Sequence, residues 1–140
     1  MDMKIKFKKL TETAKIPTVA RQGDVGFDLY CDEDITLAPG SIHKIKTGIQ
    51  LADMPVHDEQ GNGLFLKIEG RSGLASKGIF PTGGIVDPSY RGEIGVLLAT
   101  VSNPGWENEL RTRTSSYHLK KGDRVAQLLV YKVAASDPLS

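Results

Sequence analysis

Residues 94–101 read IGVLLATV, a short apolar and β-branched run with the turn former Pro104-Gly105 just beyond it. Runs of the same kind occur on either side: residues 64–68 (LFLKI) and residues 125–133 (VAQLLVYKV) are equally rich in apolar and β-branched side chains. Residues 42–51 (IHKIKTGIQL) set Ile42, Ile45 and Ile49 among polar neighbours. The 15 glycines and 7 prolines are scattered between these runs rather than gathered into one linker. Many short strands separated by turn residues predict an all-β fold: a sandwich, a jelly roll or a small barrel. Only residues 72–77 look helical, over one or two turns. Asn62-Gly63 and Pro104-Gly105 mark turns, and the polar stretches 55–63 and 103–116 read as surface loops. No repeat or low-complexity tract appears, so residues 1–140 read as a single domain.

Composition narrows the function. The chain has 140 residues, enough for one domain with a real core. Lys plus Arg is 18 and Asp plus Glu is 17, a net charge of +1. That balance argues against broad nucleic-acid binding, which needs a clear basic excess, but leaves room for a small anionic ligand held by a few cations. The single cysteine, Cys31, allows no intramolecular disulfide and fits a reducing compartment. The opening MDMKIKFKKL has charge but no apolar run behind it, so no signal peptide is expected. No stretch approaches the roughly 20 apolar residues that span a bilayer. A soluble cytoplasmic or virus-encoded domain is the expectation.

Four segments carry chemistry. In residues 23–30, GDVGFDLY, Asp28 sits between Phe27 and Leu29 where a strand is predicted. Strand interiors disfavour Asp, so the residue needs a reason. It could hold waters around a hard cation such as magnesium, which keeps most of its hydration shell. Closing a turn or pairing with a nearby Arg would serve equally. In residues 70–78, GRSGLASKG, two glycines flank Arg71-Ser72 at the start of the helical stretch. Backbone N–H groups, a hydroxyl and a guanidinium there make a phosphate cradle; the plainer alternative is a Ser N-cap beside an exposed Arg.

Residues 83–95, GGIVDPSYRGEIG, are the most unusual. Gly83-Gly84 lets backbone approach a ligand, Ile85-Val86 make a short arm, Asp87 ends it, and Tyr90 follows a turn around Pro88. Such an arm can read the edge of a base, a phenol beside it can pack on a sugar, and a terminal carboxylate can deprotonate a water. A plain hairpin turned by Asp-Pro is the alternative. In residues 121–130, KGDRVAQLLV, a Gly122-Asp123 turn leads into an apolar strand interrupted by Gln127, which needs either a phosphate oxygen or a backbone partner. His43, His57 and His118 lack metal-ligand spacing, so a zinc site is not expected. There is also no P-loop, dinucleotide fingerprint or nucleophile elbow.

Taken in this order, GDVGFDLY, GRSGLASKG, GGIVDPSYRGEIG and GDRVAQLLV resemble motifs one to four of the trimeric dUTP pyrophosphatase family, across residues 23–130. The resemblance implies a distorted jelly-roll subunit forming a homotrimer with active sites at the subunit interfaces. The few aromatics, 6%, fit a core partly shared between chains, and closed cyclic symmetry is the usual arrangement. The implied reaction hydrolyses dUTP to dUMP and pyrophosphate with Mg2+, keeping uracil out of DNA and supplying dUMP for dTMP synthesis. By similarity, Asp87 would be the general base, orienting water toward the α-phosphorus. The backbone of Gly84, Ile85 and Val86 would bind uracil and exclude the thymine methyl, and Tyr90 would stack on deoxyribose, leaving no space for a ribose 2′-hydroxyl. Arg71, Ser72 and Gly73 would hold the phosphate chain, with further phosphate contacts from Gln127 and the Gly95 backbone. Asp28 would touch the metal's water shell, the ion being held mainly by the triphosphate.

Two departures stand beside the resemblance. The family's fifth, Gly-rich motif, with a Phe that closes over the base, does not appear before the sequence stops at VAASDPLS. A shortened chain, a tail outside this sequence and a protein that lacks the motif are the competing explanations. Residues 103–116 look longer than the family's usual connection and contain Trp106. They read as a surface insertion, or alternatively as a docking surface for a partner protein. Two rival functions remain. The dCTP deaminase family shares the fold, but needs a catalytic Glu in the strand after Asp-Pro, where Leu97 stands and residues 94–101 hold no acid. A non-catalytic nucleotide sensor that binds another protein is the second.

Overall fold

The computed structural model describes residues 4–18, 26–101 and 116–134, and within them every apolar run becomes a strand. In chain order these are β1 (Lys6–Lys9), β2 (Phe27–Tyr30), β3 (Ile35–Leu37), β4 (Ile42–Asp53), β5 (Gly63–Glu69), a single-turn helix α1 (Ser72–Ala75), β6 (Ile79–Pro81), β7 (Ile85–Val86), β8 (Glu93–Thr100), β9 (Tyr117–Leu119) and β10 (Arg124–Val133). They form one four-stranded sheet in the order β1-β4-β8-β6, a second in the order β2-β10-β5-β7, and the small β3-β9 pair. All these pairings are antiparallel.

Burial follows the two-residue period of strands. On β8, Ile94, Val96, Leu98 and Thr100 point inward while Gly95, Leu97 and Ala99 point out; on β5, Leu64, Leu66 and Ile68 point inward. The inner faces of both sheets share one core, joining Ile45, Leu51, Val96 and Leu98 to Leu29, Leu66, Val125 and Leu128. This is an antiparallel sandwich of jelly-roll type. No helix among the described residues is long and apolar enough to cross a membrane.

Two local details differ from the sequence expectation. The helix ends at Ala75 rather than running to Lys77, because Gly78 turns left-handed (φ 76°) and its carbonyl accepts from Val101 N–H. The turn expected at Asn62-Gly63 lies upstream, at Glu59 and Gln60, and Gly63 already opens β5. The cause is Asp58: its carboxylate accepts from the Gln60 and Asn62 backbone N–H groups and from the Asn62 side-chain amide, each at 2.9 Å. Residues 23–25 of the first motif, and residues 103–115 with Trp106, lie outside the described residues.

Candidate active site

Gly84 sets the arm. It adopts φ 112°, and an added Cβ would lie 3.0 Å from the Ile68 carbonyl, so only glycine fits without strain. Its own carbonyl accepts from Ile68 N–H at 2.8 Å, which delivers Ile85 and Val86 to β5 opposite Lys67 and Leu66. β7 is therefore the edge strand of its sheet, one side paired and the other open. Val86 turns into the core while Ile85 stays exposed. Asp87 then starts a β-turn closed by Tyr90 N–H on the Asp87 carbonyl at 3.0 Å, with Pro88 in its favoured second position. The Tyr90 hydroxyl donates to the Glu93 carbonyl at 3.0 Å, and the ring lies over Gly92, where an added Cβ would sit 2.5 Å from that hydroxyl.

Between this arm and the outer face of β8 lies a cleft of about 240 Å³. Five residues expected from the sequence line it: Gly84, Ile85, Val86, Tyr90 and Gly95. Leu97, which stands where a deaminase would carry its Glu, lines it too, and so do Lys44, Thr82 and Glu93, which were not foreseen. Lys44 and Leu97 are paired across β4 and β8, a juxtaposition that only the sheet register reveals. Thr82 is held there by its N–H on the Leu97 carbonyl at 2.8 Å, and Glu93 by one carboxylate oxygen that accepts from Gly48 N–H at 2.9 Å. Asp87 follows Val86 but is not part of the cleft wall; its carboxylate is exposed and makes no hydrogen bond or ion pair among the described residues.

The other three motifs meet on the second sheet. Gln127 of β10 pairs in register with Asp28 on one side and Glu69 on the other. Its amide donates to the Gly70 carbonyl at 3.1 Å, and an added Cβ at Gly26 would lie 2.4 Å from its side-chain oxygen, so the first motif packs directly on the fourth. The backbone partner left open for Gln127 is thus real for its donor end. Asp28, only 14% exposed, faces the Arg124 guanidinium at 3.6 Å, which answers why a strand tolerates it. Arg71 donates to the Arg124 carbonyl at 3.3 Å and, with Arg124 and Asp123, lines a second cleft of about 290 Å³. The Ser-cap alternative does not hold. Arg71 occupies the cap position without a side-chain cap bond, and Ser72 and Gly73, both exposed, are the first helical residues. Their N–H groups have no partner within the helix.

Beside Gln127, the Glu69 carboxylate takes both Lys67 (2.8 Å) and the Tyr131 hydroxyl (2.7 Å) on one oxygen. Lys67 first, then Tyr131, holds the Glu69 carboxyl below its usual value, and the same contacts raise Lys67 and Tyr131. Among the described residues no hydrogen bond or ion pair joins Asp87 or Tyr90 to Arg71, Arg124 or Gln127. No group of three or more His, Cys, Asp or Glu side chains that could cage a metal is found among the described residues. Among those residues Asp28, with Arg124 beside it, is a lone carboxylate rather than a metal cage.

The dUTPase family model matches residues 12–139. The chain belongs to the dUTPase family. A relative from cowpox virus, a deoxyuridine 5'-triphosphate nucleotidohydrolase, is 36% identical over 129 residues, covering 92% of this chain and 76% of its own length. A nucleotidohydrolase of the same name from Trichodesmium erythraeum is 37% identical over 134 residues, covering 94% and 82%. Among solved structures, a Staphylococcus bacteriophage 80alpha dUTPase with dUpNHpp aligns with a TM-score of 0.79 at 20% identity, over 98% of this chain and 87% of that one. A dUTPase of phage phi11 of S. aureus, described for its coordination of a structural Mg(II) ion, aligns with a TM-score of 0.78 at 21% identity, over 98% and 95%. The dUTPase fold is therefore shared along nearly the whole chain.

Proposed function

We propose that this dUTPase hydrolyses dUTP to dUMP and pyrophosphate with Asp87 as general base, in a homotrimer whose sites are completed between chains. The chain is an enzyme, a dUTP diphosphatase, and residues 1–140 act as one domain. The observation that carries the mechanism is the open edge of β7, beside the Tyr90 ring and one residue from an unbonded carboxylate. Backbone groups of Gly84, Ile85 and Val86 bind uracil through that edge, Tyr90 stacks on the sugar, and Asp87 takes a proton from the attacking water. Arg71, Ser72, Gly73 and Gln127 hold the phosphates, with the Gly95 backbone adding a contact. The Gln127 side-chain oxygen is turned toward Gly26 and one amide N–H is held by Gly70, so a phosphate would take the second N–H. Mg2+, when bound, would supply charge neutralisation on the phosphate oxygens, and Asp28 would hold it through water.

The separation of the Asp87–Tyr90 arm from the Arg71–Gln127 group supports a site assembled from two copies. Phosphoryl transfer depends on positioning and charge neutralisation, and neither group suffices alone. Leu97 stands where a deaminase needs its carboxylate, and the one acid on the cleft wall, Glu93, is bound to Gly48. The test compares dUTP, dCTP, dTTP and UTP with magnesium. Pyrophosphate released from dUTP alone supports the reading; ammonia from dCTP, or tight dUTP binding without turnover, contradicts it.

A further inference from the structure

Lys44 is out of place on its wall. It stands on the outer face of β4 opposite Leu97, and its stem crosses diagonally over Gly95, where an added Cβ would lie 2.8 Å from Lys44 Cε. Ile68, Ile85, Ile94 and Leu97 make the surrounding wall apolar. The other charged group there, Glu93, has one oxygen bound to Gly48 N–H, and Lys44 has no hydrogen bond or ion pair among the described residues. A ligand that fills the cleft strips water from this ammonium, which is costly unless the ligand offers an acceptor.

We infer that Lys44 is a specificity residue that donates a hydrogen bond to the 4-carbonyl oxygen of the bound pyrimidine. The inference rests on the proposed nucleotide site and adds to its backbone readout. An ammonium has three donors and no acceptor. A uracil-type base presents an acceptor oxygen at the 4-position, as thymine does, whereas cytosine presents an amino donor there. Lys44 therefore favours uracil and opposes cytosine. The missing side chain at Gly95 gives the lysine stem its path, a second reason for glycine at that position. Arg71 and Arg124, which serve the phosphates, line a different cleft, and although the Gly95 backbone adds a phosphate contact, the apolar side chains around the Lys44 stem suit the edge of a base.

The test is calorimetric binding of dUMP and dCMP to the wild type, Lys44→Met and Lys44→Arg, alongside dUTP turnover. Met fills the space of the stem without a donor, and the site on an exposed strand face tolerates it. The expected result is that Lys44→Met weakens dUMP about tenfold and leaves dCMP unchanged or slightly tighter, while Lys44→Arg restores most of the preference. Equal weakening of both nucleotides would show that the amine serves phosphate and would overturn the inference. No change in either would also overturn it. A wild type that binds dUMP with a preference lost in Lys44→Met, yet does not hydrolyse dUTP, would uphold Lys44 and strike only the hydrolase reading.

Discussion

At the level of single residues, Asp87 and Asp28 stand in contrasting environments that suit the two tasks proposed for them. Asp28 is sheltered and faces Arg124 at 3.6 Å, whereas Asp87 is exposed at the end of its arm without a partner among the described residues. A free carboxylate can accept a proton; a paired one is better suited to orienting neighbours. Asp87→Asn is expected to bind dUMP normally and lose about 100- to 10,000-fold in kcat; unchanged turnover would remove Asp87 from the mechanism. Gly92→Ala tests the sugar platform, since the new methyl would lie 2.5 Å from the Tyr90 hydroxyl and displace the ring. The preference for dUTP over UTP should fall about tenfold or more in a competition assay. Gly84, Ile85, Val86, Tyr90 and Gly95 were legible as neighbours in one cleft because glycines and a proline turn at short spacing are a local signal. Lys44 and Glu93 were not legible, because what makes them part of the cleft is their register across β4 and β8.

At the level of elements, the strands were readable from their apolar runs and the site-bearing arm from its glycines. The misplaced turn is instructive. Asn-Gly is a strong local turn signal, but the Asp58 carboxylate captures the Gln60 and Asn62 N–H groups and moves the turn upstream. The Asn62 amide, then the backbone N–H groups of Asn62 and Gln60 and the Lys132 ammonium, hold the Asp58 carboxyl at about 2, down from the ordinary 3.8. A depressed carboxyl stabilises the fold above its unfolded value and loses that contribution as the pH falls through the folded one. The Tm gap between wild type and Asp58→Asn should therefore be full above pH 3.8 and close toward pH 2. A gap constant across that range would mean that Asp58 does not organise the loop. The Asp28–Arg124 pair was left open by the sequence for a related reason: a register shift between Arg124 and Ala126 aligns them, and bulges leave little local trace.

At the level of the whole molecule, the two clefts divide the proposed labour. In that proposal the arm carries base, sugar and water, and the cleft of Arg71 and Arg124 carries the phosphates, joined by the Gly95 backbone. If the site is built from two copies, Asp87→Asn and Arg71→Ala chains should each be inactive alone but recover on co-refolding, because random assortment completes roughly a quarter of the sites. No recovery would place the whole site within one chain. Four ordered motifs made the fold and the family readable from sequence. Assembly was only implied, because no local pattern encodes which surfaces of two copies meet.

The most direct test of the central claim is hydrolysis of dUTP in oxygen-labelled water, followed by mass analysis of both products. Attack at the α-phosphorus, guided by Asp87, places the label in dUMP and leaves pyrophosphate unlabelled. Label in pyrophosphate, or the same rate with Asp87→Asn, would contradict the mechanism.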